Sequence, residues 1–179
     1  MTIRKSGIKK ILLFSGFFFA AAALSVLCAC NVAYLEKFGE FDASQGNYEE
    51  ALKDYDKAIR YNPKDPVAYA GRGYVYQKMG NHEKAIADYT RAIELDPADD
   101  ELYLIRGLAY FLKGDNDRAI TDYSKAIEVD PSNSDAYLNR AQSYELKGNK
   151  EQAVKDYQGA ARLGNARAQG ILQGRRIAW

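Results

Sequence analysis

Three features of the 179-residue sequence predict an all-α fold built by repetition. Glycines recur at Gly46, Gly80, Gly114 and Gly148 with a constant spacing of 34. The same shift superposes Ala51, Ala85, Ala119 and Ala153, then Tyr55, Tyr89, Tyr123 and Tyr157, then Ala58, Ala92, Ala126 and Ala160. Within each period, large and small residues fall at helical spacing, as in Tyr69, Gly73 and Tyr76, and no stretch alternates polar and apolar residues as a half-buried strand would. A fixed period of this length marks stacked helical units, each of which buries its apolar face only against its neighbours.

The first segment, 1–29, is of another kind. Arg4, Lys5, Lys9 and Lys10 precede nineteen uncharged residues, Ile11 to Ala29. A basic start, an apolar core and small residues form the layout of a secretory signal. As a helix the stretch would be roughly 28 Å long, enough for a retained membrane anchor instead. The end of the stretch, Leu27-Cys28-Ala29-Cys30, resembles the bacterial lipoprotein lipobox, with a leucine three before and a small residue directly before Cys30. The resemblance implies a signal peptide over 1–29, a lipid on the Cys30 thiol and a short linker at 30–31. Cys28 fits worse, because Leu27 would sit at the cleavage site. Under either reading the basic residues stay cytoplasmic and everything after Cys30 faces outward.

Four units follow, at 32–65, 66–99, 100–133 and 134–167. In each, a first helix should end at the glycine through a left-handed backbone. Asn47, Asn81, Asp115 or Asn149 then stands as the N-cap of a second helix, with Glu49, Glu83, Asp117 or Glu151 in its first turn, where the helix dipole favours an acid. Pro63, Pro97 and Pro131 stop the second helix. The first unit departs from the grid, with Asp42 where the others place tyrosine, so its first helix is expected to be weak. The fourth has Asn165 where proline is expected, and the last residues, 168–179, read as a capping helix made marginal by Gly170 and Gly174.

A 34-residue unit of aromatic, small residue and tyrosine, then alanine, aromatic, alanine and proline resembles the tetratricopeptide repeat, over Val32 to Arg167. The resemblance implies a right-handed superhelical solenoid whose first helices line a concave groove for a peptide or a partner helix. It also includes bacterial repeat lipoproteins that scaffold cell-wall enzymes or help assemble pili and outer-membrane machines. In chaperone-binding relatives a lysine and asparagine set clamps a C-terminal carboxylate. Here Glu36, Glu40, Leu104 and Ile105 occupy those positions, which argues against that specificity.

The groove positions differ between units. Helix 101–113 carries a second apolar stripe, Leu104, Leu108, Phe111 and Leu112, flanked by Ile105, beyond the Tyr103, Gly107 and Tyr110 that serve packing. A helix apolar on two faces must bury both. Its neighbours offer Tyr74, Gln77 and Lys78 on one side and Asn139, Gln142 and Glu145 on the other. An apolar patch with polar walls suits a peptide or amphipathic helix anchored by large side chains. Were Leu104 and Leu112 part of the core, the site would shrink.

Charge and composition exclude several other functions. With 1–29 removed, 21 basic face 24 acidic residues, so nothing draws the chain to nucleic acid. The balance is uneven: 30–156 is acidic, whereas only Arg162, Arg167, Arg175 and Arg176 are charged after Asp156. Both cysteines lie before residue 31 and His82 is the lone histidine, which leaves no disulfide framework, zinc cluster or nucleophile–base pair. Arg72, Arg106 and Arg140 share the period with Asp54, Asp88, Asp122 and Asp156, and are expected to form an internal Arg–carboxylate ladder rather than an anion site. The expectation is a non-enzymatic, cofactor-free, lipid-tethered adaptor of the cell envelope that binds a protein. Where lipoproteins are sorted by the residue after the lipidated cysteine, Asn31 rather than aspartate favours the outer membrane, facing the periplasm. The alternative is a self-associating protein whose groove holds the terminal helix of another copy.

Overall fold

The computed structural model describes residues 32–179; the signal segment and Cys30 lie outside the described residues. The described residues form two compact units that divide after Pro63. In the first, α1 (32–45) and α2 (Tyr48–Tyr61) form a helical hairpin. Gly46 turns it with φ of 82°, a left-handed conformation that costs glycine little. The small residue of this unit is Gly39, where a Cβ would come within 2.9 Å of the Tyr55 ring. Its first helix, expected to be weak, is continuous over 32–45. Asn47 makes no side-chain cap on α2; its side-chain amide donates to Asp42 Oδ1, at 3.3 Å.

The second unit holds α3 (Pro66–Lys78), α4 (His82–Leu95), α5 (Asp100–Leu112), α6 (Asn116–Val129), α7 (Ser134–Leu146), α8 (Lys150–Arg162) and α9 (Ala166–Gly174). Each helix packs on the next, and α5 also touches α7. Sequence chemistry sets the ends. Asp65, Asn81, Asp99, Asp115, Asn133, Asn149 and Asn165 each accept a backbone N–H from the first turn that follows, which satisfies one of the orphan donors of a helix start. Gly80, Gly114 and Gly148 all have positive φ. No strand occurs among the described residues, and no helix among them is long and apolar enough to cross a membrane.

The hairpins close because Gly73 and Gly107 lack side chains. A Cβ at either would meet the ring of Tyr89 or Tyr123 at 2.7 Å, so each tyrosine fills the space that its glycine leaves. Successive hairpins then share apolar clusters. Ala85, Tyr89 and Ala109 join α4 to α5, whereas Ile93, Leu102, Leu104, Tyr123 and Ala136 join α4, α5, α6 and α7.

The C-terminal end differs from the grid by two residues. Gly164, with φ of 89°, and Asn165 make the same two-residue turn that elsewhere separates first from second helices. The last helix therefore begins at Ala166 and stops at Gly174. It caps the stack by burying Ala168 and Leu172 against Leu138, Tyr157 and Ala161.

Candidate protein-binding face

The first helices α3, α5 and α7 carry the expected face, in three registers. Tyr74, Leu108 and Gln142 are equivalent, as are Gln77, Phe111 and Glu145, and then Lys78, Leu112 and Leu146. Tyr74 and Leu112 are 45% and 50% exposed. Leu108, Phe111, Gln77, Asn139, Gln142 and Glu145 are half-buried. Leu146, which sequence reasoning passed over, is 66% exposed; its signal was its register with Leu112.

Leu104 and Ile105 do not belong to this face. Leu104 is buried in the cluster with Tyr123 and Ala136, and Ile105 packs against both the α4–α5 cluster and the larger one. The reason is that α5 has helices packed on more than one side, so the start of its apolar stripe is spent inside the stack. Leu138, one period after Leu104, is buried in the same way. Phe111 also leans on the core cluster. What reaches the surface is the C-terminal half of the stripe, Leu108, Phe111 and Leu112.

A hydrogen bond beneath the face separates the units. Tyr89 Oη donates to Gln77 Oε1 at 3.3 Å, and Tyr157 Oη donates to Glu145 Oε2 at 2.7 Å. In the middle unit Phe111 stands at that register, and the Tyr123 hydroxyl is buried with no partner. Burial pushes all three phenols well above their usual range, so all three stay protonated at neutral pH. Glu145 also accepts from Arg175 Nη1, and that guanidinium holds its carboxyl below the ordinary 4.5. One wall of the apolar strip is thus an ion pair that draws in residue 175 of the C-terminal segment.

The arginine row is consumed internally. Arg72, Arg106 and Arg140 each make two bonds, of 2.7 to 2.9 Å, to Asp88, Asp122 and Asp156. The Asp122 bonds hold the Arg106 guanidinium above its usual value. A further nitrogen of Arg106 donates to Thr90 Oγ1 at 3.1 Å and one of Arg140 to Ser124 Oγ at 3.0 Å, stitching consecutive hairpins together. Asp54 has Phe38 where the others have arginine, and pairs with Lys57 at 2.8 Å.

Family models match this arrangement over most of the described chain. A TPR repeat model matches 39–80 and 107–148, and tetratricopeptide repeat models match 66–99 and 134–163. The chain belongs to the tetratricopeptide repeat family. Among solved structures it is similar to one described as the crystal structure of MamA, with a TM-score of 0.71 and 26% identity over 94% of this chain and 99% of that one. It is also similar to the first TPR of Spaghetti (RPAP3) bound to the HSP90 peptide SRMEEVD, with a TM-score of 0.63 and 25% identity over 66% of this chain and 94% of that one. PilF of Pseudomonas aeruginosa shares the fold, with a TM-score of 0.74, 18% identity and coverage of 83% and 71%. Among curated proteins no sequence matches.

Two cavities of this tetratricopeptide stack lie away from the expected residues. One, of about 420 Å³, is lined by Met79, Gly80, Asn81, His82, Glu83 and Lys113. The other, of about 330 Å³, lies around Tyr103, Arg106, Asp122, Ser124 and Lys125. His82, which lines the first of these, is half-buried. Among the described residues no group of three or more His, Cys, Asp or Glu side chains is placed to hold a metal ion.

Proposed function

We propose that this tetratricopeptide protein is a lipid-tethered, outward-facing adaptor of the bacterial cell envelope that holds an amphipathic segment of a partner protein against α3, α5 and α7. The observation that carries this reading is the apolar strip Leu108, Phe111 and Leu112 of α5, set between Gln77 and Lys78 on one side and Gln142 and Glu145 on the other. Large apolar anchors inside a polar rim are the arrangement that converts contact area into binding free energy. Family membership and the peptide-bound RPAP3 structure support an interaction scaffold. Apolar anchors favour a hydrophobic segment over a carboxylate clamp, since Leu104 and Ile105 are spent on the core. The lipobox-like Leu27 to Cys30 supports the tether, and Asn31 supports the outer membrane, facing the periplasm.

The alternative, in which the terminal helix of another copy fills the groove, is less favoured. Helix α9 already spends Ala168 and Leu172 on its own chain. Photo-crosslinking in intact cells tests the proposal. A photoreactive residue at Leu112 should give one dominant heterologous adduct, and the same residue at exposed Thr121 on α6 should give none. Equal adducts at both positions, or an adduct with only the chain itself, would reject the adaptor reading.

A further inference from the structure

The first helix exposes a row of aromatic rings that the rest of the repeat architecture does not tolerate. Tyr34, Phe38 and Phe41 lie at i, i+4 and i+7 on one face of α1, and are 60%, 45% and 60% exposed. The rings of Tyr34 and Phe38 are already together, with centroids 4.5 Å apart. The opposite face of α1 carries the buried Val32, Gly39 and Ala43.

The 34-residue register shows what normally covers such a face. Tyr34 is equivalent to Leu102 and Ala136, and Phe41 to Ala109 and Ser143, all of them buried. Leu102 and Ala136 pack with residues of the preceding second helix, Ile93 and Ala126 among their cluster, and Ala109 packs with Tyr89. Residues 1–31, ahead of α1, carry in register none of the residues that recur in the repeat. The end of a solenoid needs a polar outer face to stay soluble, yet three aromatic rings stand here.

The chain ahead of α1 indicates what covers them. Only Asn31 and Cys30 separate Val32 from the end of the uncharged stretch 11–29, so α1 begins within roughly 7 Å of the anchor point even if the linker is fully extended. Aromatic side chains favour the boundary between water and lipid, and the long stem of the neighbouring Lys37 can reach its headgroups. Glu36, Glu40 and Asp42 outnumber Lys37 on this helix, so its charge does not draw it to anionic lipid, and burial of the rings must supply the attraction.

We propose that the Tyr34, Phe38 and Phe41 stripe of α1 rests on the lipid surface beside the anchor, docking the first repeat on the membrane. This rests on the tethered reading above. The test uses the full chain reconstituted in phosphatidylethanolamine and phosphatidylglycerol vesicles whose acyl chains carry bromine. Trp179 is the lone tryptophan and lies at the far end of the sequence, so the wild-type chain is the control. In a Trp179→Phe background, the tryptophan introduced by Phe38→Trp or Phe41→Trp should be quenched at least about twofold more than Trp179, without change at high salt. Chains that float with the vesicles but show equal quenching would overturn the stripe and leave the tether standing. Chains that do not float would overturn both. A spectral shift that appears with protein concentration and without lipid would instead assign the stripe to a second copy.

Discussion

Tyr123→Phe removes one oxygen, and the structure predicts that the protein is more stable without it. The hydroxyl is buried and unpartnered, a state that costs about 1 to 3 kcal/mol, so its removal should recover about 1 kcal/mol. The equivalent changes must act in the opposite direction. Tyr157→Phe loses a bond to a carboxylate at 2.7 Å, a loss of about 1.5 to 3 kcal/mol, and Tyr89→Phe loses a longer, neutral bond at 3.3 Å, about 0.5 to 1 kcal/mol. Urea unfolding followed by far-ultraviolet circular dichroism, with midpoints compared at constant slope, should place Tyr123→Phe above wild type by about 0.5 M and the other two below it. The sign should invert in a Phe111→Gln background, where a glutamine at the register of Gln77 supplies the missing acceptor. If Tyr123→Phe lowers the midpoint as far as Tyr157→Phe does, the hydroxyl has a partner and the reasoning fails.

Other perturbations test the packing and the cap. Gly107→Ala should lower the melting temperature, because its Cβ would stand 2.7 Å from the Tyr123 ring and overpacking costs about 1 to 3 kcal/mol. Gly170→Ala should raise it, since nothing lies within 4 Å of that Cβ and alanine favours the helix by about 0.5 to 1 kcal/mol. Equal shifts for the two would show that propensity, not the ring, decides. Arg175 holds the Glu145 carboxyl below 4.5, so this group's contribution is complete above that value and is lost as pH falls through the lower folded-state value. Trp179 anisotropy should therefore drop in that acid window in the wild type, and Glu145→Gln should lack the step. An identical titration in both would separate the ion pair from the C-terminal segment.

The periodic parts of this molecule could be read directly from the residues. Glycines at 34-residue spacing lie at the turns with positive φ, and the Arg–Asp ladder joins the partners that share its period. Legibility failed where one residue could serve two neighbours. The stripe from Leu104 to Leu112 announces an apolar face, but periodicity along one helix does not say which part of that face another helix covers. Gly39 holds the register of Gly73 and Gly107 beneath the Tyr55 ring, a match that the missing tyrosine at Asp42 hides. Asn47 resembles its three equivalents in sequence, yet it makes no capping bond and its amide donates to Asp42. The bonds from Arg106 to Thr90 and Arg140 to Ser124 cross between repeats, and nothing in either repeat alone reveals them. The orphan Tyr123 hydroxyl shows only when residues 12 apart, 111 and 123, are compared with 77 and 89 and with 145 and 157.

The most direct test of the adaptor account sets binding against stability in one variant. Leu108 is half-buried and Leu112 half-exposed, and both lie on the strip rather than in the core. Leu108→Ala combined with Leu112→Ala should weaken binding of the crosslinked partner, measured by titration calorimetry, by more than about 2 kcal/mol, roughly thirtyfold, as expected for anchors at the centre of an interface. The unfolding midpoint should move little. Leu104→Ala should do the reverse, costing about 2 to 5 kcal/mol of stability as buried leucines do, with less effect on affinity per folded molecule. A double variant that binds its partner normally and melts far below wild type would contradict the account and return both leucines to the scaffold.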